Sequence, residues 1–424
     1  MKITQFIKTA AAKYNSVSLI ARIVCGLVIG LLFGLFIPGA AFIGVFGDLF
    51  VGALKAIAPV LVFVLVMSAL AQGQSRLDKR FGLVIWLYML TTFLASLIAV
   101  IASFVFPISI RLASSAQADT IPQGIGEVMH NLLMNCVANP VLSLTSANYI
   151  GILFWAVLLG FAMKRFGSEN TKRFLADAAD AVSQCVRWII NLAPFGIMGL
   201  VFTNVSTNGL AIFKDYGQLL LLLVGTMLTV ALIVDPFVAF LTLKKNPYPL
   251  VWRCLKNSGL TAFFTRSSAA NIPVNMATCE RLGLDKDFYS VSIPLGSTIN
   301  MDGAAVTIAI MTLACAHTMG VAVDFPSALI LSLLSTLAAC GASGVAGGSL
   351  LLIPMACSMF GISNDIAMQV VGVGFIIGVV QDSVETCLNS AGDVMFTAIA
   401  EYRKWQLEGQ DLPYFLGGSK KVDI

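Results

Sequence analysis

Asn300-Met301-Asp302-Gly303 lies inside the otherwise apolar stretch Phe288–His317, and Asp382, Glu385, Thr386, Asn389 and Asp393 lie inside a second one, Ala367–Ala400. A carboxylate at the centre of a bilayer costs roughly 3 kcal/mol on insertion scales, so such residues face a partner, an ion or a water-filled cavity. Acidic and amide groups repeated over two segments read as a binding site, and a binding site within membrane-spanning sequence points to a transporter. At 3.6 residues per turn, positions 382, 385, 386, 389 and 393 form one stripe, with Val379, Val380 and Val384 on other faces. Asn300 and Asp302 would diverge on a regular helix. An unwound turn before Gly303 would let them converge and free carbonyl oxygens as ligands. Carboxylate, amide and carbonyl oxygens suit a hard cation such as sodium.

Composition agrees. The chain is 58% hydrophobic and 11% charged, where soluble domains are about a quarter charged. Leu83–Phe106 and Leu219–Leu241 are long enough to span, and Lys2, Lys8 and Lys13 precede no convincing cleavage site. The nine cysteines are scattered without CxxC spacing and read as packing residues. With only His130 and His317 as imidazoles, a zinc site is not expected, nor does a net charge of +4 point to nucleic acid.

Basic residues cluster at Lys2/Lys8/Lys13/Arg22, Arg76/Lys79/Arg80, Lys164/Arg165/Lys172/Arg173, Lys244/Lys245/Arg253/Lys256, Arg281/Lys286 and Arg403/Lys404/Lys420/Lys421. By the positive-inside rule these are cytoplasmic, which fits six spanning helices between Ser16 and Leu243 and both termini inside. Asn257–Cys279, interrupted by Thr265-Arg266-Ser267-Ser268 and by Pro273, is flanked by cytoplasmic charge on both sides and reads as re-entrant. Phe288–His317 then spans outward, broken near Asn300. Phe325–Phe360, broken at Gly341–Ser349, reads as a second hairpin dipping from outside, and Ala367–Ala400 returns. The prediction is an all-α polytopic membrane protein with eight transmembrane helices, two re-entrant helical hairpins, inverted repeats and a broken seventh helix. Interrupted segments at matching places in two inverted halves mark a midplane transport site. The competing reading is that the Gly and Ser runs merely permit close packing, but packing does not require the nearby acids.

These residues resemble the dicarboxylate/amino acid:cation symporter family, which has the glutamate-transporter fold, over nearly the whole chain. Arg266-Ser267-Ser268 resembles its serine-rich first hairpin tip. Gly296-Ser297-Thr298-Ile299-Asn300-Met301-Asp302-Gly303 resembles its seventh-helix signature, and Asp382, Thr386, Asn389 and Asp393 its eighth-helix stripe. The resemblance implies that Asp382 takes a substrate amino group. Asn389 would take its carboxylate, with Thr386, Arg266, Ser267, Ser268, Val345 and backbone donors of both hairpins nearby. Gly296, Asn300, Asn389 and Asp393 would frame one sodium, and Thr298 with the backbone around Ala339–Ala342 a second. Asp302 with Tyr88, Thr91 and Thr92 would frame a third. It further implies a homotrimer in the plasma membrane, with sodium as coupling ion and no other cofactor. Residues 1–245 would hold the scaffold together with the third and sixth helices of the transport unit, 246–400 the transport core and 401–424 a cytoplasmic tail.

The departures matter as much. Acidic-substrate relatives place arginine three positions after the aspartate, where this chain has Glu385. A carboxylate there repels an anionic side chain, and reversing the sign of a contact changes specificity. Arg266 is expected to neutralise Glu385 and leave a small neutral pocket, or to act as the clamp in an acidic-substrate alternative. With Ala304 and Ala346 also departing from acidic-substrate relatives, the combination is most similar to the sodium-coupled serine/threonine branch. Lys55 and Arg187 are expected to snorkel or pair. Two rivals are weaker. Gly341-Ala342-Ser343-Gly344 resembles a rhomboid protease GxSG motif, but its only available base, His317, precedes Ser343. An ion channel could use the same stripe, although gates on both sides suit alternating access.

Overall fold

The computed structural model describes residues 17–72, 79–112, 130, 133–342 and 347–422. Lys2, Lys8, Lys13, Arg76, Ser343, Val345 and Ala346 of the sequence reading lie outside the described residues. What is described is helical, apart from connecting turns and one isolated bridge between Pro413 and Lys420. In chain order come α1 (Leu19–Phe36), α2 (Gly44–Ala71), α3 (Lys79–Val105), the short α4 (Pro140–Thr145), α5 (Tyr149–Phe166), α6 (Glu169–Asn191), α7 (Ala193–Asn208) and α8 (Ile212–Thr229). A π turn, Val230–Val234, joins α8 to α9 (Asp235–Leu243), and another, Leu255–Gly259, joins α10 (Tyr248–Cys254) to α11 (Leu260–Thr265). Then follow α12 (Ser268–Arg281), α13 (Lys286–Ile299), α14 (Asp302–Thr318), α15 (Phe325–Ala339), α16 (Ile353–Ser358) and the 44-residue α17 (Asn364–Leu407).

Helix ends follow local chemistry. Ser18, Asn148, Ser168, Ser267, Asp285 and Asp324 cap their helices by accepting a first-turn backbone N–H, which satisfies donors that would otherwise be orphaned in an apolar medium. Gly209, at φ 66°, separates α7 from α8. Pro273 does not interrupt its segment as the sequence suggested. It lies within α12, whose start is set instead by Arg266 in the left-handed region (φ 52°) and by the Ser267 cap. The carbonyl that a proline orphans is the one four residues earlier. Here that residue is Ala269, which is exposed and lines a cavity.

Among the described residues six helical stretches are long and apolar enough to cross a membrane: Ala41–Ala71, Arg80–Val105, Tyr149–Phe166, Ala193–Leu243, Lys286–Thr318 and Asn364–Leu407. In the two that carry the polar residues, 94% and 83% of the most apolar window is buried, against 50% or less in the other four. The polar groups therefore sit in the middle of the molecule, wrapped by helices whose outer faces (Leu221, Ile233, Phe237) are exposed and apolar.

One group of helices, α1, α2, α5, α6 and α7, packs together, and α3 with α8 to α17 forms the other. The α1–α7 contact is written in Gly26, Gly30 and Gly34, a small residue every fourth position. A Cβ on Gly26 would fall 2.1 Å from the Pro194 carbonyl oxygen, and one on Gly30 2.3 Å from that of Met198. Because backbone cannot step aside, Gly30→Leu is expected to cost a few kcal/mol, in the upper range of single substitutions. Thermal unfolding in detergent checks this, with Gly52→Leu, at an open position, as the control that should barely shift.

At one end of the molecule Arg80 donates hydrogen bonds to Asp285 and Glu401, each at 2.8 Å. Residues past α17 fold back beside them: Arg253 stacks 4.2 Å over Phe415, and Lys420 lies 3.4 Å over Trp405. The Arg80 hydrogen bond holds the Asp285 carboxyl below its usual range. The pairing is thus intact at neutral pH and is lost as pH falls through that lowered value. Asp285 is largely exposed, so its contribution is small.

Candidate functional site

The two helices that carry the polar motifs meet at the break between α13 and α14. Asn300 (φ −93°, ψ 80°) and Met301 (φ −121°, ψ 52°) leave the helix, and α14 restarts at Asp302 with its N-terminus against α17. The approach is tight: a Cβ on Gly303 would lie 2.8 Å from Glu385 Cα, and one on Gly296 2.7 Å from Asp393 Oδ1. Gly303 meets backbone and requires glycine for that reason, whereas a Cβ at Gly296 would displace the Asp393 carboxylate and the Tyr88 hydroxyl. Gln381, Asp382, Glu385, Thr386, Asn389 and Asp393 are all buried on α17, none more than 5% exposed.

Asp382 is held by the turn between α11 and α12 and by Gly347, ahead of α16. Its Oδ2 accepts from Arg266 Nε at 2.7 Å, and its Oδ1 from the Gly347 backbone N–H at 3.0 Å. Thr386 donates back to the Asp382 carbonyl at 2.7 Å. Ser267 caps α12, and Ser268 is buried at its first turn.

The expectation that Arg266 neutralises Glu385 is overturned. The Glu385 carboxylate is met by neutral donors converging on Oε2: Thr307 Oγ1 at 2.7 Å, Gln381 Nε2 at 2.6 Å and Ser349 Oγ at 2.9 Å. One helical turn separates Glu385 from Asp382, and Arg266, coming from the α11–α12 loop, reaches only the nearer carboxylate.

Asn300 and Asp302 likewise do not converge. Asn300 Nδ2 donates to Asp393 Oδ1 at 3.1 Å and to the Asn389 carbonyl at 3.2 Å. Asp302 turns to α3, where its Oδ1 accepts from Thr92 Oγ1 at 2.7 Å. Two unwound residues rotate successive side chains onto different neighbours instead of onto one ion. Tyr88 joins the Asp393 side, its hydroxyl 3.1 Å from the Asp393 carbonyl and 2.9 Å from Thr397 Oγ1. The Thr91 hydroxyl donates to the Leu87 carbonyl on its own helix at 3.0 Å. The Asn389 amide oxygen accepts from Gly303 N–H at 2.8 Å.

Thr298 is exposed and lines a cavity of about 540 Å³ together with Cys340, Gly341 and Ala342. Ser68, Gln72, Lys164, Asp180 and Arg187 line its far wall. Lys55, expected to pair or snorkel, forms an ion pair with Asp365.

Among the described residues no three His, Cys, Asp or Glu side chains cluster for a metal ion. Ion chemistry would rest on single carboxylates with amide, hydroxyl and carbonyl oxygens. Asp393 Oδ2, Asp302 Oδ2 and Asn300 Oδ1 are buried without a hydrogen-bond partner. A buried carboxylate oxygen with no donor is costly unless a cation or proton meets it, and unpartnered oxygens of this kind fit a hard cation at the Asp393 and Asp302 positions separately.

Residues 19–402 match the sodium:dicarboxylate symporter family. The chain belongs to that family. This symporter is 63% identical over 420 residues to a serine/threonine transporter of Bifidobacterium adolescentis, covering 99% of the chain and 98% of that protein. It is 61% identical over 389 residues to a serine/threonine transporter of Streptococcus agalactiae (92% and 96% covered). A third, from Streptococcus thermophilus, is 59% identical over 400 residues (94% and 99%). The symporter thus comes from a family of membrane transporters and is no enzyme.

Gln381, Thr307 and Ser349 were not singled out in the sequence. Gln381, a polar residue one turn before Glu385 in a spanning helix, carried a readable signal. Thr307 and Ser349 carried none beyond being hydroxyls in apolar surroundings.

Proposed function

We propose that this chain is a secondary active transporter that imports small neutral amino acids, serine and threonine first, together with sodium. The observation that carries the reading is the environment of Asp382 and Glu385. Among the described residues the one cation that reaches the stripe, Arg266, is spent on Asp382, and one turn away stands a carboxylate, Glu385, surrounded by neutral donors. An acidic side chain entering there meets like charge, whereas a hydroxyl finds Thr386 and the Thr307–Gln381–Ser349 group. The names of the relatives agree with this selectivity.

In this account the substrate ammonium replaces Arg266 and Gly347 on Asp382, which frees the two loops to reclose around the bound molecule. The substrate carboxylate is taken by Asn389, backbone donors and Ser267/Ser268. Asp393 with Gly296, Asn300 and Asn389, Asp302 with Thr91 and Thr92, and Thr298 with the Cys340–Ala342 backbone are the sodium positions. Tyr88 then supports Asp393 rather than Asp302. The helical pairs α10–α12 and α15–α16 act as re-entrant hairpins in inverted halves. They are additional to eight spanning helices, with both termini cytoplasmic. The group of α3 with α8 to α17 moves against α1, α2 and α5 to α7 in a homotrimer of the plasma membrane.

A ligand that binds only the folded state raises its stability by mass action. Serine or threonine is therefore expected to raise the unfolding temperature of purified protein when sodium is present and not when choline replaces it, with no shift from aspartate. A shift with aspartate alone would return the acidic-substrate reading. Glu385→Arg removes the acceptor for three donors and inserts a second buried cation. Its serine uptake is expected to fall at least about tenfold, the effect of roughly 1.4 kcal/mol. Unchanged uptake and selectivity would place Glu385 outside the pocket.

A further inference from the structure

Asp235 is a carboxylate within an apolar spanning stretch, 1% exposed, and its Oδ1 has no hydrogen-bond partner. It follows the π turn at Val230–Val234. Pro236 accounts for that turn: its ring lacks an N–H and crowds the Leu232 carbonyl, which the Tyr248 hydroxyl satisfies at 3.0 Å. The wide turn rotates Asp235 inward. There it lines a cavity of about 10 Å³ with Ala231, Val251, Cys254, Leu388 and Gly392, large enough for roughly one water molecule.

The lining decides the occupant. Among the described residues lining it, Asp235 is the only one with an oxygen-bearing side chain, and a hard metal cation needs several oxygen ligands. An ionised carboxylate left alone in such surroundings is far too costly to persist and neutralises instead. Titratable and charged groups on the packed neighbours do not relieve it. Asp302 lies within electrostatic range and repels it. Cys254 lines the cavity, Arg253 on the same helix faces Tyr414 and Phe415, and Tyr88 is engaged with Thr397. On α17, Cys387 lies beside Gly259, and Asp393 accepts from Asn300. Past Tyr216, α8 has no ionisable residue.

We propose that Asp235 is a proton-binding site of the transport unit, separate from the substrate and sodium positions. One proton passes from hydronium to a carboxylate oxygen, forming the neutral acid and leaving water; nothing is oxidised or reduced. The acid is the form that fits this cavity, and forcing it to ionise at high pH disrupts packing between α9 and α17 and slows transport.

The test pairs infrared spectroscopy with uptake. Purified wild-type protein in lipid is expected to show a carboxylic-acid C=O stretching band from an apolar site, absent in Asp235→Asn and shifted in Asp235→Glu, so that either variant assigns it. Asp235→Asn, shaped like the neutral acid, is expected to keep serine uptake within about threefold of wild type at neutral pH while losing most of the wild-type decline at alkaline pH. An unaltered band in both variants overturns the proposal, because Asp235 is then ionised. A variant with unchanged pH profile but tenfold weaker apparent sodium affinity also overturns it, by making Asp235 a sodium ligand. The infrared arm needs no transport, so its failure is distinct from a wrong substrate.

Discussion

Asp382→Asn is expected to abolish serine uptake, by at least about a hundredfold. Breaking a buried pair by removing one charge costs about 3–5 kcal/mol, because the remaining charge is stranded, and each 1.4 kcal/mol is tenfold. Two losses coincide. In the substrate-free protein Arg266, itself buried, loses the Oδ2 that accepts its Nε. In the bound protein the substrate ammonium loses its counter-charge. The double variant Arg266→Gln/Asp382→Asn separates them. Removing both charges restores most of the stability lost by Asp382→Asn, as a coupled pair should, yet transport stays absent because the ammonium site is gone. Purified variants examined by thermal unfolding and serine uptake give both readouts. A double variant that transports would show Asp382 to be only a tether for the loops.

Asp393→Asn is expected to weaken apparent sodium affinity at least tenfold, while serine uptake at saturating sodium stays within a few-fold of wild type. Asp393 keeps its contact with Asn300 through Oδ1 and has a second oxygen buried and unpartnered. Converting that oxygen into an amide nitrogen places a donor where a cation needs an acceptor. The Asn300 amide then faces another amide, so part of the packing is retained. Uptake measured against a sodium series checks this, and an unaltered sodium curve would remove Asp393 from the ion site.

Much of the site was legible because membranes make polar residues conspicuous. Asn300, Asp302 and the α17 stripe stand out against apolar flanks, and the break falls before Gly303 as expected, although the two side chains whose convergence argued for it point to different neighbours. What failed was partner assignment. Asp382 and Glu385 share one face a single turn apart, so the pattern alone could not say which one Arg266 reaches. The donors around Glu385 come from Thr307 and Ser349, far away in sequence and chemically ordinary. Asp302 pairs with Thr92 and Asn300 with Asp393 because the unwound residues turn in three dimensions, which spacing does not record. Asp235 is inconspicuous because Leu219–Leu241 reads as a span by length and average hydropathy, and averaging hides its one carboxylate.

Sodium-driven import of neutral amino acids is the function proposed for this chain. Its most direct test is uptake of radiolabelled serine into proteoliposomes of the purified protein, with and without an inward sodium gradient, competed by threonine or aspartate. Accumulation is expected to need the gradient, to be blocked by threonine and to ignore aspartate. Accumulation blocked by aspartate, or none under any sodium gradient, would contradict the proposed function.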